Sequence, residues 1–227
     1  MEEEFKTFFK VLDNITIKNL LYLINKQILK GIIGTVKEGK ESVVFCAKDF
    51  ENNFCAVKVY RVLHCDFKSM YKLLRADPRF VKRKRDRRAI VEKWALREYK
   101  NLKIAEKFKI LVPKPITVYK NILIMEFVGE NCIPAKLLKD VELNYEKAKF
   151  LYLKLIEELK KMKQAKIAHG DLSEYNILVH NDLPYIIDFS HAVRDDCVLY
   201  YDYWKRDVEN INKFFSKYLN EDELIQL

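Results

Sequence analysis

The sequence predicts an α+β protein in two lobes, with strands gathered in its first half and helices in its second. Three observations carry this. From Ile32 to Tyr60 the chain reads IIGTV, SVVFCAK and FCAVKVYR, β-type runs broken by EGK and DFENN. After Pro134 strand signals thin out, while Lys147–Lys166 and Asp202–Leu219 keep helical spacing. Between them, Gly129–Pro134 reads as a connector, so the lobes are expected to join near residues 127–133 around a cleft. The expected organisation is a helical extension at 1–31, a β-rich lobe at 32–126 with a basic insertion near 66–88, and a helical lobe at 127–227.

Each element has its own signal. Ile17, Leu20, Leu21, Ile24 and Ile28 recur at helical spacing and stop at Gly31, which predicts a short amphipathic helix. The three runs that follow predict antiparallel strands, with Asn52-Asn53 near the second turn. Residues 66–88 mix helix signals with a basic run. Ala89–Lys107 reads as a helix with Ile90, Trp94, Leu96, Tyr99, Leu102 and Ala105 near one face. Val112-Pro-Lys-Pro115 interrupts it and leads into a hairpin turning at Lys120-Asn121. Ala148, Leu151, Leu155, Ile156, Leu159 and Met162 line one side of the long helix beyond.

Composition sets the outer bounds. The 227 residues are 49% apolar, enough for a real core, so bulk disorder is not expected. No apolar run approaches a membrane span, and the acidic start Met1-Glu2-Glu3-Glu4 is unlike a secretion signal. A soluble intracellular protein is the expectation. Five cysteines (Cys46, Cys55, Cys65, Cys132, Cys197) lie singly, without a C-x-x-C pair, which argues against disulfides and structural zinc and for small buried hydrophobes in a reducing compartment. The net charge of +9 owes much to Lys82-Arg83-Lys84-Arg85-Asp86-Arg87-Arg88. That run reads either as a solvated loop or as a segment that contacts phosphate or docks a ribonucleoprotein.

The densest chemical signal is HGDLSEYN followed by IIDFS, whose aspartate lies twelve residues beyond Asn176. It contains His169, Asp171, Asn176 and Asp188. A loop aspartate, an asparagine five residues on and an aspartate at a strand end are what Mg²⁺-dependent phosphoryl transfer from ATP needs. One carboxylate orients or deprotonates the acceptor; an amide oxygen and the other carboxylate hold the metal. His169 is expected to anchor the loop, and Ser190 and His191 to support Asp188.

Three further stretches fit the same chemistry. Gly34-Thr-Val-Lys-Glu-Gly39-Lys40-Glu41 nearly satisfies a phosphate-loop pattern, but Glu41 stands where a hydroxyl is required and a strand follows instead of a helix. A strand–loop–strand covering phosphates with backbone N–H groups of Gly39, Lys40, Glu41 and Ser42 remains open beside an ordinary hairpin turn. Lys58, in Ala56-Val57-Lys58-Val59-Tyr60, would need a counter-charge if buried, and Glu98 in WALREYKNL is the candidate. The strand end at Glu126-Phe127-Val128 would expose backbone to hydrogen-bond adenine.

Taken together, GKES-V-F, AVKVYR, WALREYKNL, MEFVGE-(x)₃-PA, HGDLSEYNIL, IIDFSHAV and RDVENINKFF resemble a RIO-family atypical serine/threonine kinase of the first type, over about Gly34 to Tyr218. The resemblance implies a trimmed protein-kinase-like fold and ATP and Mg²⁺ as cofactors. It implies that Lys58, paired with Glu98, binds the α- and β-phosphates, and that Glu126 and Val128 offer backbone to adenine. Asp171 would be the catalytic base; Asn176 and Asp188 would bind the metal. It further implies a phosphoryl group placed on Asp188 in an ATPase-like cycle, and a cytoplasmic role on the maturing small ribosomal subunit, with its rRNA and proteins as partners. The metal motif reads Asp188-Phe-Ser190 in place of the usual DFG, no A-P-E follows, and 39 residues remain after Asp188, so phosphorylation of protein substrates in trans is doubtful. Two rivals stand beside this reading. An aminoglycoside- or choline-kinase-like phosphotransferase shares H-G-D-(x)₄-N and I-D-F. A pseudokinase scaffold would bind nucleotide or pre-ribosomal RNA without chemistry.

Overall fold

The structure is a computed structural model that describes residues 12–80 and 86–225. Among these, the elements run in chain order as α1 (Asn14–Asn25), β1 (Gly31–Glu38), β2 (Ser42–Lys48), β3 (Phe54–Tyr60), α2 (Phe67–Ala76), α3 (Arg87–Lys107), β4 (Pro115–Tyr119) and β5 (Ile122–Glu126). There follow β6 (Gly129–Glu130), β7 (Ile133–Pro134), β8 (Lys136–Leu137), α4 (Tyr145–Gln164), β9 (Ile167–Ala168), β10 (Ile177–His180), β11 (Leu183–Ile186), β12 (Val193–Arg194) and α5 (Tyr200–Phe215). The α+β class agrees with the sequence. The described residues fall into two compact units, one within Met1–Leu74, Lys82–Tyr99 and Pro115–Pro134, the other within Arg75–Val81, Lys100–Lys114 and Ala135–Leu227.

The first unit is built on an antiparallel sheet in the order β1-β2-β3-β5-β4. Side chains alternate across a strand, so Val43, Phe45, Ala47, Cys55, Val57, Val59, Ile122 and Ile124 share one face. Leu20 and Leu23 of α1, with Leu29 beyond it, cover that face. Leu23 is 1% exposed, and trimming it to alanine would cost about 2–5 kcal/mol. The same alternation sends Lys58, with its paired neighbours Val44 and Leu123, to the other face.

The helix over α1 starts and stops earlier than the periodicity predicts. Asp13 caps it by accepting from the N–H groups of Ile15 and Thr16, and the left-handed Gln27 (φ 57) ends it before Gly31. Ile28 and Leu29 therefore pack from the loop, with both N–H groups returning to the Leu23 carbonyl. The buried Asn121 ties this cap to the sheet, donating to Thr16 Oγ1 and the Tyr60 carbonyl, each at 2.9 Å.

On α3 the buried residues are Ile90, Val91, Trp94, Ala95, Arg97, Glu98, Asn101, Leu102 and Ala105, while Leu96 and Tyr99 are half-buried. The apolar pattern found Ile90, Trp94, Leu102 and Ala105 but not Arg97, Glu98 and Asn101, which are polar. Gly129–Pro134 is a small hairpin and not a plain connector, turning through left-handed Asn131 and Cys132. That turn carries a correction: Cys132 is disulfide-bonded to Cys46 on β2, with Cα atoms 5.6 Å apart. The two lie 86 positions apart in sequence and meet only through the fold, so spacing rules could not pair them. Cys55, Cys65 and Cys197 are free and buried. Burial, helped by Asp49 and Glu41 respectively, pushes the Cys55 and Cys65 thiols up to about 12.

The second unit packs α4 and α5 with short strands, β8-β10-β11 and the pair β9-β12, of which the sequence signalled only β11, the run that ends before Asp188. Of the basic run, Lys82–Arg85 lie outside the described residues. Arg87 stacks on the Phe67 ring at 4.4 Å, and Arg88 pairs with Asp13 at 3.0 Å. Among the described residues no helix is long and apolar enough to cross a membrane.

Candidate active site

In the first unit Lys58 Nζ lies 2.9 Å from Glu98 Oε1, with the two residues 5% and 1% exposed. A buried ammonium requires a counter-charge, and the α3 stripe supplies it. Sequence reasoning missed the third member, Tyr60, whose hydroxyl donates to Glu98 Oε2 and whose ring lies 5.1 Å under the Lys58 ammonium. Its signal was present: Tyr60 is two residues from Lys58 on one strand and so shares its face.

Gly39–Ser42 is the tight turn between β1 and β2. The Gly39 N–H is spent on the Ser42 carbonyl at 2.9 Å, so of the four predicted backbone donors this one closes the turn instead of facing outward. Arg61 braces the turn through the Gly39 carbonyl at 3.1 Å and the Glu38 carboxylate. Glu41 accepts from the Asp66 N–H at 3.1 Å, just ahead of α2, which gives the residue in the hydroxyl position a structural task. Glu126 ends β5 opposite Cys55, and the buried Phe127 and Val128 lead into the disulfide-bonded hairpin.

In the second unit the β10–β11 hairpin sets the polar cluster. It pairs Ile177 with Ile186, and the Ile187 N–H donates to the Asn176 carbonyl at 2.9 Å, so Asn176 lies across from the residue before Asp188. Asn176 Nδ2 donates to the Asp171 carbonyl at 2.8 Å and to Asp171 Oδ2 at 3.1 Å. Asp171 itself is exposed. Asp188 is half-buried and left-handed (φ 65), and Ser190 Oγ donates to its Oδ1 at 2.7 Å.

His169 is a brace. Its Nδ1 accepts from the Asp171 N–H at 3.3 Å, which leaves Nε2–H to donate to the Ile187 carbonyl at 2.9 Å. The ring meets Phe189 edge-on at 4.8 Å. One imidazole thereby links the Asp171 loop to the strand end before Asp188. Ser173 and Glu174 carry no side-chain hydrogen bond that bears on the cluster.

The largest omission of the sequence reading is α5. Asp207 is fully buried and accepts from the N–H groups of His169 (2.7 Å), Gly170 (3.0 Å to each oxygen) and Leu172 (3.1 Å). Burial pushes its carboxyl above the ordinary range, while the His169 ring and these N–H groups pull the other way. Asn210 and Arg206, on the same helix face, donate to the Leu172 and Gly170 carbonyls. Gly170 is obligatory: at φ +80 a β-carbon would sit 2.4 Å from Tyr203 Cδ2. A charged residue amid the buried Val208, Ile211 and Phe215 was the available clue.

The oxygen set suits a hard cation. Asn176 uses its amide nitrogen on Asp171, which turns its oxygen to other use, and Asp188 supplies a carboxylate two residues beyond the β10–β11 hairpin. Among the described residues no group of three or more His, Cys, Asp or Glu could hold a metal alone.

A family model described as the RIO domain matches residues 43–226. The RIO-type serine/threonine-protein kinase Rio1 of Methanocaldococcus jannaschii is 44% identical over 218 residues, covering 95% of this chain and 73% of that protein. The serine/threonine-protein kinase RIO1 of Homo sapiens is 34% identical, covering 93% of this chain, which spans 38% of the human protein. In fold, the chain resembles the crystal structure of the Rio2 kinase-ADP/Mg²⁺-phosphoaspartate complex from Chaetomium thermophilum. The TM-score is 0.68 at 22% identity, over 88% of this chain and 59% of that one.

Proposed function

The chain is a member of the RIO family of atypical serine/threonine-protein kinases, of the first type, and from that premise we propose that it transfers the γ-phosphoryl group of ATP with Mg²⁺ as its metal. One observation supports this reading above the rest. Asn176 is hydrogen-bonded to Asp171, on a hairpin that runs its backbone against Ile187 beside Asp188. A base and two metal-type oxygens on one short motif are the minimum for this chemistry.

In this reading Asp171 orients the acceptor hydroxyl and takes its proton. Asn176 Oδ1 and the Asp188 carboxylate hold Mg²⁺, which when bound neutralises charge on the transferred phosphoryl and leaving oxygens. Lys58 contacts the α- and β-phosphates, kept charged and aimed by Glu98. Backbone of Glu126 and Val128 meets adenine, and the Gly39–Ser42 turn covers phosphate with N–H groups of Lys40, Glu41 and Ser42. Residues 32–126 serve as the N-lobe and 127–227 as the C-lobe.

The finer reading is an ATPase-like cycle through an acyl phosphate on Asp188, used in the cytoplasm on a precursor of the small ribosomal subunit. The +9 charge supports an RNA-bearing partner, since such an excess favours phosphate-rich surfaces. Incubation with Mg²⁺ and γ-labelled ATP, before and after hydroxylamine, tests both levels. Labelled protein or released phosphate in wild type, lost in Asp171→Ala and Asp188→Ala, is the expected result. Hydroxylamine-sensitive label would identify the acyl phosphate. ATP bound with neither label nor phosphate would leave a nucleotide-binding scaffold instead.

A further inference from the structure

The turn that follows Asp188 is gripped by a side chain from a different element. Phe189–Ala192 closes on itself through the Ala192 N–H and the Phe189 carbonyl at 3.2 Å. Asn101, near the end of the buried stripe of α3, donates through Nδ2 to the Phe189 carbonyl and to the Ala192 carbonyl, each at 2.9 Å. It is 0% exposed. Its Oδ1 accepts from Arg79 Nη2 at 2.8 Å. A guanidinium only donates, so the amide can face just one way. Arg79 is fixed in turn by the buried Asp77, Nε to Oδ1 at 2.9 Å and Nη2 to Oδ2 at 2.6 Å.

Asp188 can use such a grip. Its left-handed backbone is less favourable than the right-handed one for a residue with a β-carbon, although aspartate tolerates it better than most, and contacts in the turn that follows help to hold it. Ser190, inside the gripped turn, also hydrogen-bonds the Asp188 carboxylate. We propose that Asn101 is a positioning residue for Asp188, and that the Asp77–Arg79 pair holds Asn101 in the orientation this requires. Its effect is on metal affinity, because the turn fixes where the Asp188 carboxylate points. This rests on the reading of Asp188 as a metal ligand.

The bland alternative is that Asn101 only satisfies two buried carbonyls, in which case its loss would weaken folding and nothing else. The test separates these. Mn²⁺ binding in the presence of ADP, read from the free-ion electron paramagnetic resonance signal, is measured for wild type, Asn101→Ala, Arg79→Ala, the double variant, Asp188→Ala and Tyr152→Phe. ADP affinity without metal and thermal unfolding are measured alongside. Tyr152 bonds Asn212 and the Ile225 N–H elsewhere in the same unit, so Tyr152→Phe is the control for lost stability alone.

Asn101→Ala is expected to weaken Mn²⁺ binding by about tenfold, the usual scale for groups that orient a ligand, with metal-free ADP affinity unchanged. Arg79→Ala should shift the same way by less, and the double variant should fall no further than Asn101→Ala. Tyr152→Phe should melt earlier with wild-type Mn²⁺ affinity. Wild-type Mn²⁺ affinity in Asn101→Ala, with only a lower melting temperature, overturns the proposal. If Asn101→Ala does not fold, Arg79→Ala decides by the same criterion. Unchanged Mn²⁺ binding in Asp188→Ala would instead defeat the metal assignment beneath it.

Discussion

Lys58 Nζ and Glu98 Oε1 meet at 2.9 Å where neither residue is more than 5% exposed, and the Tyr60 hydroxyl takes the second oxygen of the same carboxylate. Both charges are thus compensated inside the first unit. Removing one partner takes the 2.9 Å counter-charge from the other while it stays buried, a loss of about 3–5 kcal/mol. Glu98→Ala is therefore expected to lower stability to urea by that order. Lys58→Met with Glu98→Leu should recover most of it, since no charge is left stranded. A double variant as unstable as Glu98→Ala would show that packing, not charge, is at issue.

Asp207 accepts hydrogen bonds from three backbone N–H groups on either side of Asp171. Asp207→Asn keeps the size of the side chain but offers one acceptor oxygen in place of two, against N–H donors that both carboxylate oxygens now satisfy. The expected outcome is a kcat for phosphate release lowered by about tenfold or more, with KM for ATP nearly unchanged. Steady-state kinetics at saturating Mg²⁺ reads the split, and a loss confined to KM would contradict it.

Glu223 gives a pH signature. Hydrogen bonds from Lys149 first, and Tyr145 next, hold its carboxyl at about 2 against the usual 4.5. A folded value below the unfolded one means stabilisation that is complete above about 4.5 and lost as pH falls from there toward 2. The protection factors of the amides in residues 220–225, each referred to the intrinsic exchange rate at that pH, should therefore fall in acid over that window, and Glu223→Gln should show lowered protection at neutral pH already. Equal exchange in the variant and wild type at neutral pH would remove the pair from the account.

The Cys46–Cys132 bond predicts a specific peptide map. Alkylation without reductant, followed by digestion, should give one cross-linked pair joining the peptides that contain Cys46 and Cys132. Cys55, Cys65 and Cys197 should be modified only after unfolding, because all three are buried. Five alkylated cysteines in the unfolded, unreduced protein would exclude the bond.

The fold was legible wherever local pattern and final packing agree. The β1–β3 runs, the Lys120-Asn121 turn and the α4 stripe are such places, because alternation and helical spacing are local properties. The motifs around Asp171 and Asp188 were legible for the same reason, being contiguous in sequence. What was missed is non-local. Asp207 and Asn101 act from helices 35 to 91 positions distant from the groups they bind, and a polar residue on a buried face looks, in sequence, like an exposed one. The short strands β8, β9 and β12 have only two residues each and owe their form to tertiary pairing. Tyr60 shared the face of Lys58 by simple alternation and could have been named.

The proposed function divides labour between Asp171, assigned to the acceptor, and Asp188 with Asn176, assigned to the metal. Calorimetric titration of ADP with and without Mg²⁺ into wild type, Asp171→Ala and Asp188→Ala, joined to phosphate release from ATP, tests it most directly. Asp171→Ala should keep the Mg²⁺-dependent gain in affinity and lose phosphate release, whereas Asp188→Ala should lose both. Phosphate release surviving in Asp171→Ala, or a Mg²⁺-dependent gain surviving in Asp188→Ala, would contradict the account.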